Sequence, residues 1–222
     1  MSLTLAQYKD RVAKKGVPAT GDASTQLTYC INFARREVWY SYAWPFKRVI
    51  SSSFNITSAS TTAAIATIDS TLRTITRVVD TTNKQEIIKD EFDNILDRDI
   101  ALTIPGDSLQ NWCWYDGANI MFWPTLNSGV TIAATAYGEK ILTDLAADTD
   151  TDTDITDLDI SEVVIMLAHA RALVENDEII KKSSEYKDAM KFLNKLIMNN
   201  YGKKTKGIKV PGWNIITGNV RK

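Results

Sequence analysis

The chain has 222 residues, with 26 lysines and arginines against 27 aspartates and glutamates, and a formal net charge of −1 at pH 7. Hydrophobic residues make up 44% of the sequence and charged residues 24%, as in an average globular protein. These values exclude a chain that is disordered throughout, and they argue against a protein that coats nucleic acid with a general basic surface.

The two cysteines, Cys30 and Cys113, both have apolar neighbours and are predicted to be buried free thiols. The first residues lack the apolar core of a signal peptide, and no run of about 18 apolar residues occurs. We therefore expect a reducing, aqueous compartment and no membrane partner.

Helical spacing predicts a short helix over 4–15 and a second helix that begins near Asp22 or Ser24 and ends before Pro45. The apolar stripe of the second helix contains Leu27, Ile31, Ala34 and Val38. Its opposite face is predicted to carry Arg35, Arg36 and Glu37.

Short runs rich in Ser, Thr, Val and Ile between turn residues predict a β region from Phe46 to about Ile141. The candidate strands are Lys47–Phe54, Ala63–Asp69, Ile75–Asp80, Trp112–Tyr115, Asn119–Trp123 and Val130–Tyr137. A short helix is expected over Asp90–Asp97. Asp116-Gly117 predicts a hairpin with a type I′ turn, and Asn127–Gly129 a second turn, so the last three strands should form an antiparallel meander.

Residues 144–159, called the acidic segment below, contain seven aspartates and no basic residue, which predicts a solvated loop or linker. A calcium loop is the alternative, because Asp148, Asp150 and Asp152 match positions 1, 3 and 5 of an EF-hand. Thr153 stands where that loop needs glycine, and Asp159 where it needs glutamate.

A helix capped by Asp159 or Ser161 is expected next, then a break near Asn176-Asp177 and a helix over Glu178–Asn200. The remaining residues, 202–222, form a predicted tail with six basic residues and no acid, which also carries Trp213 and several β-branched residues. Such a segment can gain order by laying apolar residues on a partner, and the alternatives are a disordered basic tail or a tail packed on its own domain.

The predicted fold class is α+β, with an antiparallel helical bundle built from both ends of the chain, an inserted antiparallel β module and an extended tail. The predicted parts are 1–45 (N-terminal helices), 46–143 (β module), 144–159 (acidic linker), 160–201 (C-terminal helices) and 202–222 (basic tail).

Catalytic patterns are scarce. His169 is the only histidine, and the sequence has no G-x-S-x-G, no glycine-rich phosphate loop and no zinc-ligand spacing. A hydrolase that depends on His169 is therefore a weak alternative. A carbohydrate-binding β module would use Trp112, Trp114 or Trp123 on an open face, although such residues are more often core.

The order of these elements resembles the head-to-tail adaptor proteins of tailed bacteriophages, also called head-completion or neck proteins. The resemblance lies in a helix ending at Trp44-Pro45 and in a later pattern that closes with a strand ending at Tyr137. That pattern is formed by Pro105-Gly106, Trp114, Asp116-Gly117, Ile120, Phe122 and Pro124. The resemblance covers nearly the whole chain, but the acidic segment is not part of it.

The resemblance implies a structural virion protein without enzymatic activity or cofactor, made in the host cytoplasm. Twelve copies would form a ring below the portal protein, a downstream tail protein would bind the opposite rim, and DNA would pass through the lumen without specific recognition. Candidate portal-binding residues are Lys203, Lys204, Lys206, Ile208, Lys209, Val210, Trp213, Ile215 and Ile216. Candidate contacts between subunits are Asp148, Asp150, Asp152, Asp154, Arg35 and Arg36.

Overall fold

A computed structural model describes residues 2–17, 21–58, 62–101, 105–174 and 177–201. The chain divides into two compact units: a helical unit, which contains the described residues up to Val38 and from Leu145 onward, and a β unit, Trp39–Asp144. Within the described ranges, none of the helices combines the length and the hydropathy that a membrane span requires.

The helices are α1 (Leu5–Ala13), α2 (Asp22–Ser41), α3 (Ile65–Ile68), α4 (Phe92–Ala101), α5 (Leu158–Leu173), α6 (Asp177–Ile180) and α7 (Ser184–Leu196). The strands are β1 (Arg48–Ile50), β2 (Phe54–Thr57), β3 (Thr62–Ala64), β4 (Leu72–Asp80), β5 (Gln85–Lys89), β6 (Asn111–Trp114), β7 (Asn119–Trp123) and β8 (Thr131–Lys140). A 3₁₀ turn, Pro45–Lys47, precedes β1, and a π-helical turn, Ile197–Tyr201, follows α7.

In the helical unit, α5 contacts both α1 and α7. Asp157 caps α5, because its Oδ1 accepts hydrogen bonds from the amides of Asp159 at 2.9 Å and Ile160 at 3.4 Å. The helix therefore begins two residues earlier than a cap at Asp159 predicts. The apolar stripe predicted for α2 is buried at Leu27, Ile31, Ala34 and Val38.

The single helix predicted over Glu178–Asn200 is divided into α6 and α7. Ser183 caps α7 by accepting a hydrogen bond from the Tyr186 amide at 3.2 Å, so a new helix begins where the pattern predicts continuation.

Seven strands of the β unit form a curled, half-barrel sheet in the order β1-β8-β4-β5-β6-β7-β3. The remaining strand, β2, pairs with the first half of β8, and β1 pairs with its second half. All pairs are antiparallel except β5 with β6, which are parallel. Because α4 lies in the connection between those two strands, the chain can return to start β6 in the direction of β5.

The core of the β unit is apolar. It contains Ile56, Ile65, Ile68, Leu72, Ile75, Val78, Ile87, Leu109, Trp112, Ile120, Phe122, Leu126, Ile132, Ala134 and Ala136. Strand β4 supplies Leu72, Ile75 and Val78, which are three residues apart rather than two. Irregular register after Leu72 and after Ile75 makes this possible, because each extra residue keeps the next apolar side chain on the core face.

Gly138 of β8 is paired with Val49 on one side and Ile75 on the other. A Cβ atom at this position would lie 1.9 Å from the Thr74 carbonyl oxygen and 2.8 Å from Leu72 Cδ2. The close approach of β4 to β8 therefore requires glycine here.

The predicted fold, an antiparallel helical bundle with an inserted antiparallel β module, is wrong. The sheet is mixed, and its strands run from Arg48 to Lys140. The predicted meander is also wrong, because β8 pairs with β1, β2 and β4, whereas β7 pairs with β3 and β6. Alternation of apolar residues identifies a strand but does not indicate which strand it pairs with.

The hairpin at Asp116-Gly117 is confirmed as the connection between β6 and β7. Its turn is not type I′, because neither residue has a positive φ. The Asp116 carboxylate instead closes the loop by accepting hydrogen bonds from the amides of Ala118 and Asn119, each at 2.8 Å. These bonds, the Ala118 amide first, lower the pKa of Asp116.

Candidate functional site

The acidic segment lies along the N-terminus of the chain rather than in solvent. The amides of Leu5 and Ala6 donate to the carbonyls of Asp150 at 2.9 Å and Asp148 at 3.1 Å. The Asp152 amide donates to the Leu3 carbonyl at 2.8 Å. The interpretation of 144–159 as a wholly solvated linker is therefore wrong, because its backbone pairs with residues 3–6.

A buried ion pair holds the middle of the segment. Arg35 of α2 donates from Nε to Asp152 Oδ2 at 2.8 Å and from Nη2 to Oδ1 at 2.7 Å. Both residues are 0% exposed. Asp154, 7% exposed, has a carboxylate oxygen 3.8 Å from the same Nη2. The prediction that Arg35 lies on the face of α2 opposite the buried stripe is therefore wrong, because Arg35 faces the interior.

Other groups complete the surroundings of the Asp152 carboxylate. Tyr8 Oη donates to Oδ2 at 3.1 Å, and the Ile155 amide donates to Oδ1 at 3.0 Å. Burial, and then the neighbouring carboxylate, raise the pKa of Tyr8. The phenol therefore stays protonated and donates.

Asn32, one helical turn before Arg35, fixes the start of the segment. Its Nδ2 donates to the Leu145 carbonyl at 2.9 Å, and its Oδ1 accepts from the Leu145 amide at 3.0 Å. Arg35 Nη1 also donates to this Oδ1 at 3.2 Å. Two polar side chains of α2 therefore bind the segment at both Leu145 and Asp152.

The remaining candidate subunit contacts lie nearer the surface. Asp148 has a 62% exposed side chain that is 2.7 Å from Lys9 Nζ. Asp150 accepts from the amides of Ala147 and Ala146, each at 2.8 Å, and these bonds lower its pKa. Arg36 is exposed.

The candidate portal-binding residues lie outside the described residues. They are Lys203, Lys204, Lys206, Ile208, Lys209, Val210, Trp213, Ile215 and Ile216.

A second polar cluster joins α2, α5 and α7. Tyr186 Oη donates a short hydrogen bond to Glu37 Oε1, and Arg171 Nη2 lies 3.8 Å from Glu37 Oε2. The Arg171 guanidinium also lies 3.4 Å from the centre of the Phe33 ring. Burial, and then the bond to Glu37, raise the pKa of Tyr186 to about 12. This cluster ties three helices together through one carboxylate.

A cavity of about 140 Å³ lies beside this cluster. Its lining residues are Gln26, Tyr29, Cys30, Arg171, Val174 and Ile180. Cys30 is a buried free thiol, as is Cys113 in the β unit, which confirms the prediction for both cysteines. Burial raises the pKa of the Cys30 thiol, so the thiol stays protonated and weakly reactive.

The β unit has a solvent-facing sheet surface that sequence reasoning missed. We call it the arginine face and define it by Tyr40, Arg48, Ile50, Arg73, Arg77 and Tyr137. Arg77 is paired in register with Tyr137, which is paired in turn with Ile50. The bulges of β4 explain why this surface was missed. They place two consecutive residues, Thr76 and Arg77, at the surface between buried residues, so this part of the strand does not alternate.

The tryptophans of the candidate carbohydrate site pack within the β unit. Trp112 is fully buried, and Trp114 packs against the core with its ring centre 6.3 Å from that of Trp112. Trp123 is half-buried. The open aromatic face that a sugar would need is not formed by these three residues.

His169 lies on α5, where its Nε2 is 3.1 Å from the Lys15 carbonyl oxygen. In the part of the chain that the structure describes, no group of three or more His, Cys, Asp or Glu side chains is placed to hold a metal ion. Asp152, which the EF-hand alternative needs as a ligand, instead binds Arg35. Comparison with protein-family models and with curated proteins finds no match for this chain.

Proposed function

We propose that this chain is a subunit of a ring-shaped adaptor that joins the portal of a bacteriophage capsid to the tail. The proposal rests on one observation, the ordered combination of a helix ending at Trp44-Pro45 with the motifs from Pro105 to Tyr137. This combination resembles the head-to-tail adaptors.

The motif residues make structural contacts within the β unit. Trp44 is buried and stacks on Phe46 with ring centres 5.5 Å apart. The Gly106 amide donates to the Thr125 carbonyl at 2.9 Å, and a Cβ at Gly106 would lie 3.1 Å from Pro124 Cγ. These motifs support a shared scaffold and not a catalytic centre.

A structural role also suits the polar groups of the helical unit. Arg35, Asp152 and Tyr8 bind one another, and Glu37 binds Tyr186 and Arg171. Contacts of this kind between side chains hold the helices in place. The carbohydrate-binding alternative is not proposed, because Trp112 belongs to the core of the β unit and Trp114 packs against that core.

In the proposed mechanism, residues 202–222 bind the portal, with Trp213, Ile215 and Ile216 covered by apolar portal surface and the lysines facing acidic portal groups. Twelve subunits then close a ring through head-to-tail contacts. A downstream tail protein binds the opposite rim, and DNA passes through the lumen. The protein therefore acts in the neck of the virion.

The test is to mix the full chain with the portal protein of the same phage and to image the mixture by electron microscopy. We expect a twelve-fold ring on the portal. In a full-length variant with Lys203→Glu, Lys204→Glu, Lys206→Glu and Trp213→Ser, portal binding should be lost while the circular dichroism spectrum is unchanged.

The control variant, Lys14→Glu with Lys191→Glu, changes two exposed lysines of the helical unit and should bind the portal like the wild type. A wild-type chain that does not bind the portal would contradict the adaptor proposal. A tail variant that still binds would show that another surface makes the contact.

A further inference from the structure

The arginine face combines features that are typical of the centre of a protein–protein contact. Ile50 is 61% and Tyr40 50% exposed. The Arg73 guanidinium lies 4.8 Å from the centre of the Tyr40 ring, and that of Arg77 5.7 Å from the centre of the Tyr137 ring. Arginine and tyrosine are enriched in the energetically important part of interfaces. Stacking also orders the guanidinium groups before any partner arrives.

The arginine face has an excess of positive charge. Arg77 Nη2 lies 3.0 Å from Glu86 Oε2, and Arg48 is paired in register with Glu139. Arg73 adds a third cation, and Lys47 lies beneath the face with its Nζ 5.9 Å from the Tyr40 ring centre. On the arginine face itself, three cations therefore stand against two carboxylates.

The acidic segment has the opposite excess. Asp152 and Asp154 face Arg35 in the interior, and Lys9 lies against Asp148. Asp148 and Asp159 are exposed, and Asp150 is partly exposed. Its backbone bonds to residues 3–6 fix the positions of Asp148 and Asp150, and Asp159 lies in the first turn of α5.

We propose that the arginine face of one copy of this chain binds the acidic segment of a second copy. The inference rests on the proposed ring function, because a closed ring is built from two different patches that meet at each subunit boundary. The two surfaces belong to different units and carry opposite charge. Opposite charges attract two copies in the correct orientation, whereas like charges repel them in the wrong one.

The test reverses the charge of each surface separately in the full chain. One variant carries Arg73→Glu and Arg77→Glu, and the other carries Asp148→Lys and Asp159→Lys. Each variant alone should associate at least about a hundredfold more weakly than the wild type, because like charges then face each other. Sedimentation and electron microscopy, with and without portal, measure the association at two salt concentrations.

An equimolar mixture of the two variants should recover assembly, because every boundary of an alternating ring then pairs opposite charges again. The control is Lys14→Glu with Lys191→Glu, which changes two exposed lysines elsewhere and should assemble normally. Wild-type assembly should weaken at high salt, because ions screen exposed charges.

Normal assembly of either variant alone, or a mixture that fails to recover, would overturn the inference. A wild-type chain that remains monomeric with portal present would overturn it too. If the tail variant loses self-association while the Arg73/Arg77 variant retains it, the tail and not the arginine face binds the neighbour. Loss of portal binding with recovery in the mixture would instead count against the adaptor function alone.

Discussion

Both units of this protein bury apolar residues, but they differ in where they place their arginines. The helical unit contains a fully buried ion pair, Arg35 with Asp152, and uses it to hold a segment that has little apolar surface of its own. The β unit has an apolar core, and its Arg48, Arg73 and Arg77 are exposed. Charge and hydrogen bonds therefore specify the position of the acidic segment, whereas strand pairing and close packing specify the sheet.

The largest expected effect is in the helical unit. Asp152→Asn should lower the free energy of unfolding by about 3–5 kcal/mol, because it leaves the Arg35 charge buried without its bidentate partner. Chemical denaturation measures the change. Asp148→Asn, which removes an exposed carboxylate from the same segment, should cost about 0–1 kcal/mol. Equal effects at the two positions would contradict the buried-charge explanation.

A double variant tests whether the cost of Asp152→Asn comes from leaving the Arg35 charge without its partner. Replacing the pair by apolar residues, Arg35→Met with Asp152→Leu, should cost less than Asp152→Asn, because the bidentate pair is then removed as a whole and only Asp154 loses a cation 3.8 Å away. If the double variant is the less stable of the two, the pair itself and not the avoidance of a lone charge stabilises the unit.

The corresponding test in the β unit concerns Gly138, which has no side chain. Gly138→Ala should destabilise the protein by about 1–3 kcal/mol, because the added methyl group meets the backbone oxygen of Thr74 at 1.9 Å. The control is Gly117→Ala in the hairpin loop, where a Cβ meets nothing within 4 Å and φ is not positive. That variant should be neutral in thermal unfolding, and a similar loss at both glycines would show that the β4–β8 spacing is not responsible.

The smallest effect compares one exposed carboxylate in each unit. The pKa values of Asp116 and Asp150 both lie below the usual 3.8, because backbone amides donate to each charged form. Each therefore contributes stability that is complete above pH 3.8 and is lost as the pH falls through the lowered pKa.

Asp116→Ala and Asp150→Ala should each flatten the acid side of the stability curve. NMR titration of the wild type measures the two pKa values directly. A value at or above 3.8 for either residue would contradict the prediction at that site.

Local patterns predicted the elements that depend on neighbouring residues. The α2 stripe and the β6–β7 hairpin follow from spacing and turn residues, and both are present. Strand β5 was missed because QEIIK buries only Ile87 and shows no alternation. The predicted strand over Ala63–Asp69 includes α3, since its β-branched residues suit either structure in so short a run.

Long-range partners could not be read from the sequence. Arg35 looked solvent-exposed because arginine usually is, and its burial depends on an aspartate 117 residues away. The parallel β5–β6 pair and the arginine face likewise depend on which strands meet. The candidate subunit contacts therefore mix surface residues such as Asp148 with an interior pair.

The pairing of Leu3 and Arg35 with Asp152 has a consequence for synthesis. At about 5–20 residues per second, roughly 6–23 s separate the appearance of Arg35 from that of its partner 117 residues later. The whole β unit, which is continuous in sequence, is made in that interval. A nascent chain therefore carries Tyr8 and Arg35 without their carboxylate until the ribosome has passed Asp152, and the helical unit is completed last.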